Sequence, residues 1–125
     1  MRYKFYAYGH PNILATHKTT IEFTKDKEIT LRGNCIVGVK ADFEPEILKK
    51  LAKNPKNNGI SITISNNKIH EAISAEINHD FDDGMEFVIR KTDFISKRTF
   101  ATGADKAAFE FKRELIDFLR KKRTK

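Results

Sequence analysis

Apolar side chains recur at every second position in most patterned stretches of this chain, and at every third or fourth in only two. From Arg2 to Tyr8, Tyr3, Phe5 and Ala7 fall on one side and Arg2, Lys4, Tyr6 and Tyr8 on the other, the alternation of a half-buried strand. Gly9-His10-Pro11-Asn12 breaks the run, and a period of two resumes from Ile13 to Thr24. Ile13, Ala15, His17, Thr19, Ile21 and Phe23 form its expected core face; Leu14, Thr16, Lys18, Thr20, Glu22 and Thr24 form its expected solvent face. The charged stretch Lys25-Asp26-Lys27-Glu28 reads as a turn. After a short extended piece at Ile29 to Leu31, Cys35, Val37 and Val39 make the buried side of another strand.

Helical spacing first appears at Phe43, Ile47, Leu48 and Leu51, with Pro45 acceptable in the first turn and Asn54-Pro55 as the stop. Lys56-Asn57-Asn58-Gly59 is turn chemistry ahead of Ile60, Ile62 and Ile64. Asn66-Asn67 predicts a two-residue hairpin loop into a strand from Lys68 to about Asn78. The acidic loop Asp80 to Gly84 precedes a strand from Glu86 to Thr92, and a further extended stretch runs through Arg98 to Ala101. Thr102 with Asp105 resembles a capping box, and Ala104, Ala107, Ala108, Phe111, Leu115, Phe118 and Leu119 then trace a helical stripe over four turns. The expectation is a single mainly β domain over 1–125: a β-sandwich with one short connector helix and one longer C-terminal helix, or alternatively an α+β layer. Helices are not interleaved regularly enough for a parallel α/β fold.

Composition agrees with one folded domain. The chain has 125 residues, 39% hydrophobic and 33% charged, enough apolar content to offset chain entropy. The lone Cys35 cannot form an internal disulfide, and the N-terminus lacks a signal-peptide apolar run, so a reducing, cytoplasmic setting is expected. No apolar stretch reaches the roughly 18 residues of a membrane span, and no membrane association is expected. The net charge is +7. Residues 112–125 hold seven basic side chains against two acidic ones, which leaves only +2 for everything before them.

Three kinds of chemistry are open. His10, His17 and Cys35, with Asp93, are of metal-ligand type, but their spacing matches no closed zinc motif. His17 lies in line with Ile21 and Phe23 as a core or boundary histidine would, and Cys35 lines up with Val37 and Val39. As an enzyme, the chain would use His10 or His17 as general base, Asp93 as its orienting carboxylate, and Lys18, Arg90 or Lys91 against developing negative charge, in hydrolysis or group transfer. No nucleophile elbow, phosphate-binding Gly-rich loop or helical zinc-protease motif is present, and no motif names a cofactor. As a binding module for an anionic partner, either RNA or a phosphate-bearing small molecule, it would use Lys18, Thr20, Asn34, Arg90, Lys91 and Arg98 with the tyrosines Tyr6 and Tyr8. A subunit role in a larger complex is a further reading.

The run from Gly9 to Asp26, Gly-His-Pro-Asn-Ile-Leu-Ala-Thr-His-Lys-Thr-Thr-Ile-Glu-Phe-Thr-Lys-Asp, is too specific for generic strand sequence. With Arg32 to Asp42, Arg90 to Phe94, Arg98-Thr99 and Ala104 to Ala108, it resembles an uncharacterised archaeal family catalogued only as a domain of unknown function. The resemblance spans nearly the whole chain in order. It implies a β-sandwich of jelly-roll type, an archaeal source, and no established activity. One departure stands out: Gly33-Asn34-Cys35 occupies a place where the family pattern is expected to read Gly-Asp-Cys.

Overall fold

The computed structural model describes residues 2–66 and 68–121. Its strands are β1 (Thr20–Thr24), β2 (Ile36–Gly38), β3 (Gly59–Ser65), β4 (His70–Ile77), β5 (Glu86–Arg90) and β6 (Thr99–Thr102), with helices α1 (Pro45–Lys53) and α2 (Arg113–Arg120) and a single 3-10 turn at Ala108–Glu110. All six strands join one curled sheet in the order β2-β1-β5-β6-β4-β3. The β1/β2 and β5/β6 neighbours are parallel and the rest antiparallel. The domain is therefore mainly β. The two facing sheets of a sandwich are replaced by one mixed sheet whose apolar face packs against α1, α2 and irregular chain.

The register shows why the sheet forms where it does. Ile21 opposes Ile89 and Phe23 opposes Phe87 on the core side, and Phe5, Phe43, Phe87 and Phe23 meet there at ring separations of 5.2 to 5.7 Å. Such offset and edge-on pairs add to plain area burial. β4 keeps the strict alternation of a one-sided strand, with Glu71, Ile73 and Ala75 buried. β1 does not: all five of its residues are buried, because it lies between two strands and its second face is also covered. The expected solvent face of Thr20, Glu22 and Thr24 is thus corrected to a buried polar face.

Three expected elements differ. Residues 2–7 keep their alternating exposure, but among the described residues of this segment only Tyr8 forms a bridge, to Val39. Residues 13–19 are not strand, since Ala15 turns left-handed (φ 50°) and the N–H groups of Thr16 and His17 both donate to the carbonyl of Asn34. The C-terminal helix starts later and is shorter than expected, eight residues against nine in α1. Thr102 is in β6 rather than at a helix cap, and Asp105 exchanges hydrogen bonds with Ser74, its side chain accepting at 3.0 Å and its N–H donating at 3.1 Å. The stripe from Ala104 to Phe111 is nonetheless buried, apart from Phe109 and its polar neighbours. The β3/β4 hairpin is present, but its strands end at Ser65 and His70, so the connection is four residues; Asn67 lies outside the described residues.

Candidate functional site

Antiparallel pairing of β1 with β5 sets Thr20 opposite Arg90. One residue further, the Lys91 N–H donates to the Thr19 carbonyl at 2.8 Å. This brings the exposed Lys18, the buried Thr20, Arg90 and Lys91 to one end of the strand pair. Arg90 is held in place by donating from Nε to Thr99 Oγ1 at 3.0 Å, and its guanidinium carbon sits 4.8 Å from the centre of the Phe94 ring. Lys91 donates to Glu110 at 2.8 Å and stands 5.7 Å from the Phe109 ring. Phe94 is 60% exposed and Phe109 46%. Each of the two cations lies against an outward aromatic ring, and because successive strand residues direct their side chains to opposite faces, Arg90 with Phe94 and Lys91 with Phe109 make two separate cation–aromatic pairs at this end of the strand pair. Burial, and then the charge of Arg98, draw Arg90 below its ordinary pKa, against the more distant charges of Cys35 and Glu22, and no carboxylate among the described residues pairs with it directly.

A second polar group lies on the face of the sheet that Thr20 and Arg90 share. Glu22 is only 6% exposed. Its carboxylate accepts from Arg98 Nη1 at 3.3 Å and from the Cys35 thiol at 3.5 Å, and the same Arg98 nitrogen donates to Glu86. Burial first, then the Glu86 charge, push Glu22 above the usual carboxylate range, against the pull of Arg98. Burial and the neighbouring Glu22 push the Cys35 thiol up to about 12, so it is an inert thiol rather than a nucleophile. Arg98 therefore serves as the internal counter-charge of two carboxylates.

The remaining candidates do not converge. His10 Nε2 meets Glu28 at 3.1 Å while its Nδ1 accepts the Asn12 N–H at 3.0 Å. His17 Nδ1 accepts the Thr19 N–H at 3.1 Å. Both imidazoles close local turns. Asp93 is exposed, and among the described residues no hydrogen bond or ion pair joins it to either histidine. Asn34 acts through its backbone carbonyl. Tyr8 sits at the outer edge of β2, separated from β5 by β1, so the tyrosines do not line the Arg90 surface. Among the described residues no three His, Cys, Asp or Glu side chains gather closely enough to hold a metal ion, so His10, His17 and Cys35 do not form a centre. Nor is any described helix long and apolar enough to cross a membrane.

Sequence reasoning missed Phe94 and Phe109, and it placed Glu22 with Lys18 and Thr20 on a solvent face where the structure buries it. A signal for Phe94 was present in Arg90-Lys91-Thr92-Asp93-Phe94, where a cation and an aromatic ring flank a short loop. Glu22 was concealed by the assumption of a solvated outer face. One surface groove, about 610 Å³, lies between the β3/β4 connection and α2, and another, about 260 Å³, is lined by Ile47, Lys50, Leu51, Asn54 and Asn57; neither includes an anticipated site residue.

Residues 5–125 match the model of a family described as a domain of unknown function, DUF371. The chain is also 36% identical over 127 residues to an uncharacterized protein of Methanocaldococcus jannaschii, MJ0206, the similarity covering 96% of this chain and 92% of that protein. The resemblance in the Gly9 to Asp26 run thus has its counterpart in whole-chain similarity, and the chain belongs to the DUF371 family.

Proposed function

We propose that this protein binds single-stranded RNA on the open surface at the end of β1 and β5. The observation that carries the reading is the pre-set Arg90, fixed by Thr99, unpaired with any described carboxylate and lying against an outward-facing Phe94 ring. Phe94 beside Arg90 supplies one plane on which a base stacks, and Phe109 beside Lys91 a second plane at the opposite face of the strand end; Lys18, Arg90 and Lys91 supply charge for phosphates. Phe94 and Phe109 are exposed, and outward rings favour a polymer held at several points over a small molecule that needs a concave pocket. The basicity of residues 112–121 contributes less than the sequence suggests. Lys112 Nζ donates to the His70 carbonyl at 3.1 Å, and Arg113 and Arg120 to carbonyls at residues 13–15; residues 122–125 lie outside the described residues. The acid–base reading on His10, His17 and Asp93 has no geometry in its favour.

Fluorescence titration with a labelled oligouridylate at several salt concentrations tests the proposal. With about three phosphate contacts, log affinity falls with log salt at a slope near −2. Phe94→Ala weakens binding by about tenfold, the loss of one stacking plane, and Arg90→Ala lowers both affinity and slope. Absence of salt-dependent binding, an unaffected Phe94→Ala variant, or binding of nucleoside monophosphates as tight as that of the oligomer would each overturn it.

A further inference from the structure

The two edges of the sheet are finished differently. At the β2 edge, Tyr8 and Val39 exchange backbone hydrogen bonds at 2.7 and 2.8 Å, and the Asp42 N–H donates to the Tyr6 carbonyl at 2.9 Å, so the N-terminal segment covers that side. Among the described residues the β3 edge has no such cover. The bonds from Ile77 N–H to Asn58 and from Asn66 N–H to Ile69 fix the phase of the hairpin ladder: Ile60, Ile62 and Ile64 direct their backbone groups to β4. Gly59, Ser61, Thr63 and Ser65 consequently direct theirs outward, and among the described residues no backbone bond reaches them. Over these seven residues there is no charge, no proline and no bulge, the usual devices that blunt an edge. Ile60, Ile62 and Ile64 stay half-exposed.

We infer that β3 pairs antiparallel with β3 of a second copy of this chain, joining two sheets into one across a twofold axis at Ile62. The occupant is argued from self-complementarity. With Ile62 opposite its own copy, Ile60 faces Ile64, Ser61 faces Thr63 and Gly59 faces Ser65. Every outward backbone group then finds a partner, about eight inter-chain hydrogen bonds at two per paired position, and the half-exposed isoleucines form one continuous row. No charge is brought against another within the strand, and a charged partner peptide would meet nothing to pair with. In this register Lys56 comes opposite Lys68 of the other copy, just past the strand ends. A seven-residue pairing buries less than the roughly 1,600 Å² of a standard interface, which places the dimer in the weak, concentration-dependent class.

Sedimentation velocity on the full chain over a range of concentrations, without RNA, tests this. The expected result is a monomer–dimer equilibrium in the micromolar range that tightens as salt screens Lys56 from Lys68, the reverse of the salt dependence of RNA binding. The double variant Ser61→Lys/Thr63→Lys, altered only at exposed side chains, sets lysine against lysine and weakens association at least tenfold. Mixing it with Ser61→Glu/Thr63→Glu restores a heterodimer, which also shows that both variants are folded. A wild type that stays monomeric at several hundred micromolar, a lysine variant that still dimerises, variants that fail to associate when mixed, or assembly beyond the dimer would overturn the inference.

Discussion

Glu71 occupies a core-facing position of β4 where the alternation calls for an apolar residue, and it is 2% exposed. Its carboxylate accepts from Lys106 Nζ at 2.7 Å and from the backbone N–H of Lys112, the residue that opens α2. A carboxylate at the start of a helix is favoured by the helix dipole, so this side chain fastens α2 to the hairpin. Replacing it with alanine removes a charge-assisted backbone bond worth about 1.5 to 3 kcal/mol. It also removes an ion pair to a partly exposed lysine worth about 0.5 kcal/mol, and some buried methylene area. The expected cost is about 3 kcal/mol, a fall in Tm of about 10 °C. Glu71→Gln keeps an acceptor for the Lys112 N–H and costs about half as much. Burial alone would raise the Glu71 carboxyl, but the Lys106 bond and the Lys112 N–H outweigh it and hold it below its usual value. The stabilisation is therefore present above the unfolded value of about 4.3 and is lost as pH falls through the lower folded one, so the alanine penalty shrinks in acid. Urea unfolding of wild type and variants from pH 7 to pH 3 measures both. An alanine cost below about 1 kcal/mol at pH 7, or one that stays constant into acid, would refute the assignment.

Glu22 carries the opposite sign. Its raised pKa means that the folded state binds the proton more tightly than the unfolded state. Stability accordingly declines as pH rises from the ordinary carboxylate value through the raised one. Glu22→Gln flattens that decline in urea titrations from pH 4 to 8 and leaves stability at pH 7 equal to or above wild type; a loss there would contradict the account. Gly9 is buried where a Cβ would lie 2.1 Å from the Leu119 carbonyl oxygen. Gly9→Ala therefore displaces α2, with a fall in Tm of about 10 °C, corresponding to about 3 kcal/mol, and faster proteolysis near the C-terminus.

How much was legible follows from whether a residue's fate is decided locally. The β3/β4 hairpin and α1 were readable because alternation, the turn at Lys56 to Gly59 and Pro45 all act within a few residues. β5 and β6 were readable for the same reason. The segment 13–19 misled because its alternation is real, with Ile13 and Ala15 buried, yet its hydrogen bonds go to Asn34 and to arginines of α2. The C-terminal stripe misled in the same manner: spacing of three and four buries Ala104, Ala107, Ala108 and Phe111, but Asp105 pairs with Ser74 before a helix can begin. For the site, the sequence supplied Lys18, Thr20, Arg90 and Lys91 and the structure brought them together. His10, His17 and Asp93 stood out only as residue types, and nothing in one dimension shows that each is already used, or left alone, by its own turn.

The arginines of α2 bear on how the protein is made. Arg113 donates to the carbonyls of Leu14 and Ala15 at 3.3 and 3.0 Å, and Arg120 to that of Ile13 at 3.0 Å, across 98 to 107 positions of sequence. During synthesis residues 13–15 leave the ribosome long before these partners exist, and at 5 to 20 residues per second the wait lasts roughly 5 to 20 s. A nascent chain can assemble the β3/β4 hairpin in that interval, but its N-terminal third has carbonyls with only water to accept from. Closure of residues 13–15 onto α2 therefore waits until Arg113 and Arg120 have emerged, and a chain cut before Arg113 lacks the donors from which those carbonyls accept.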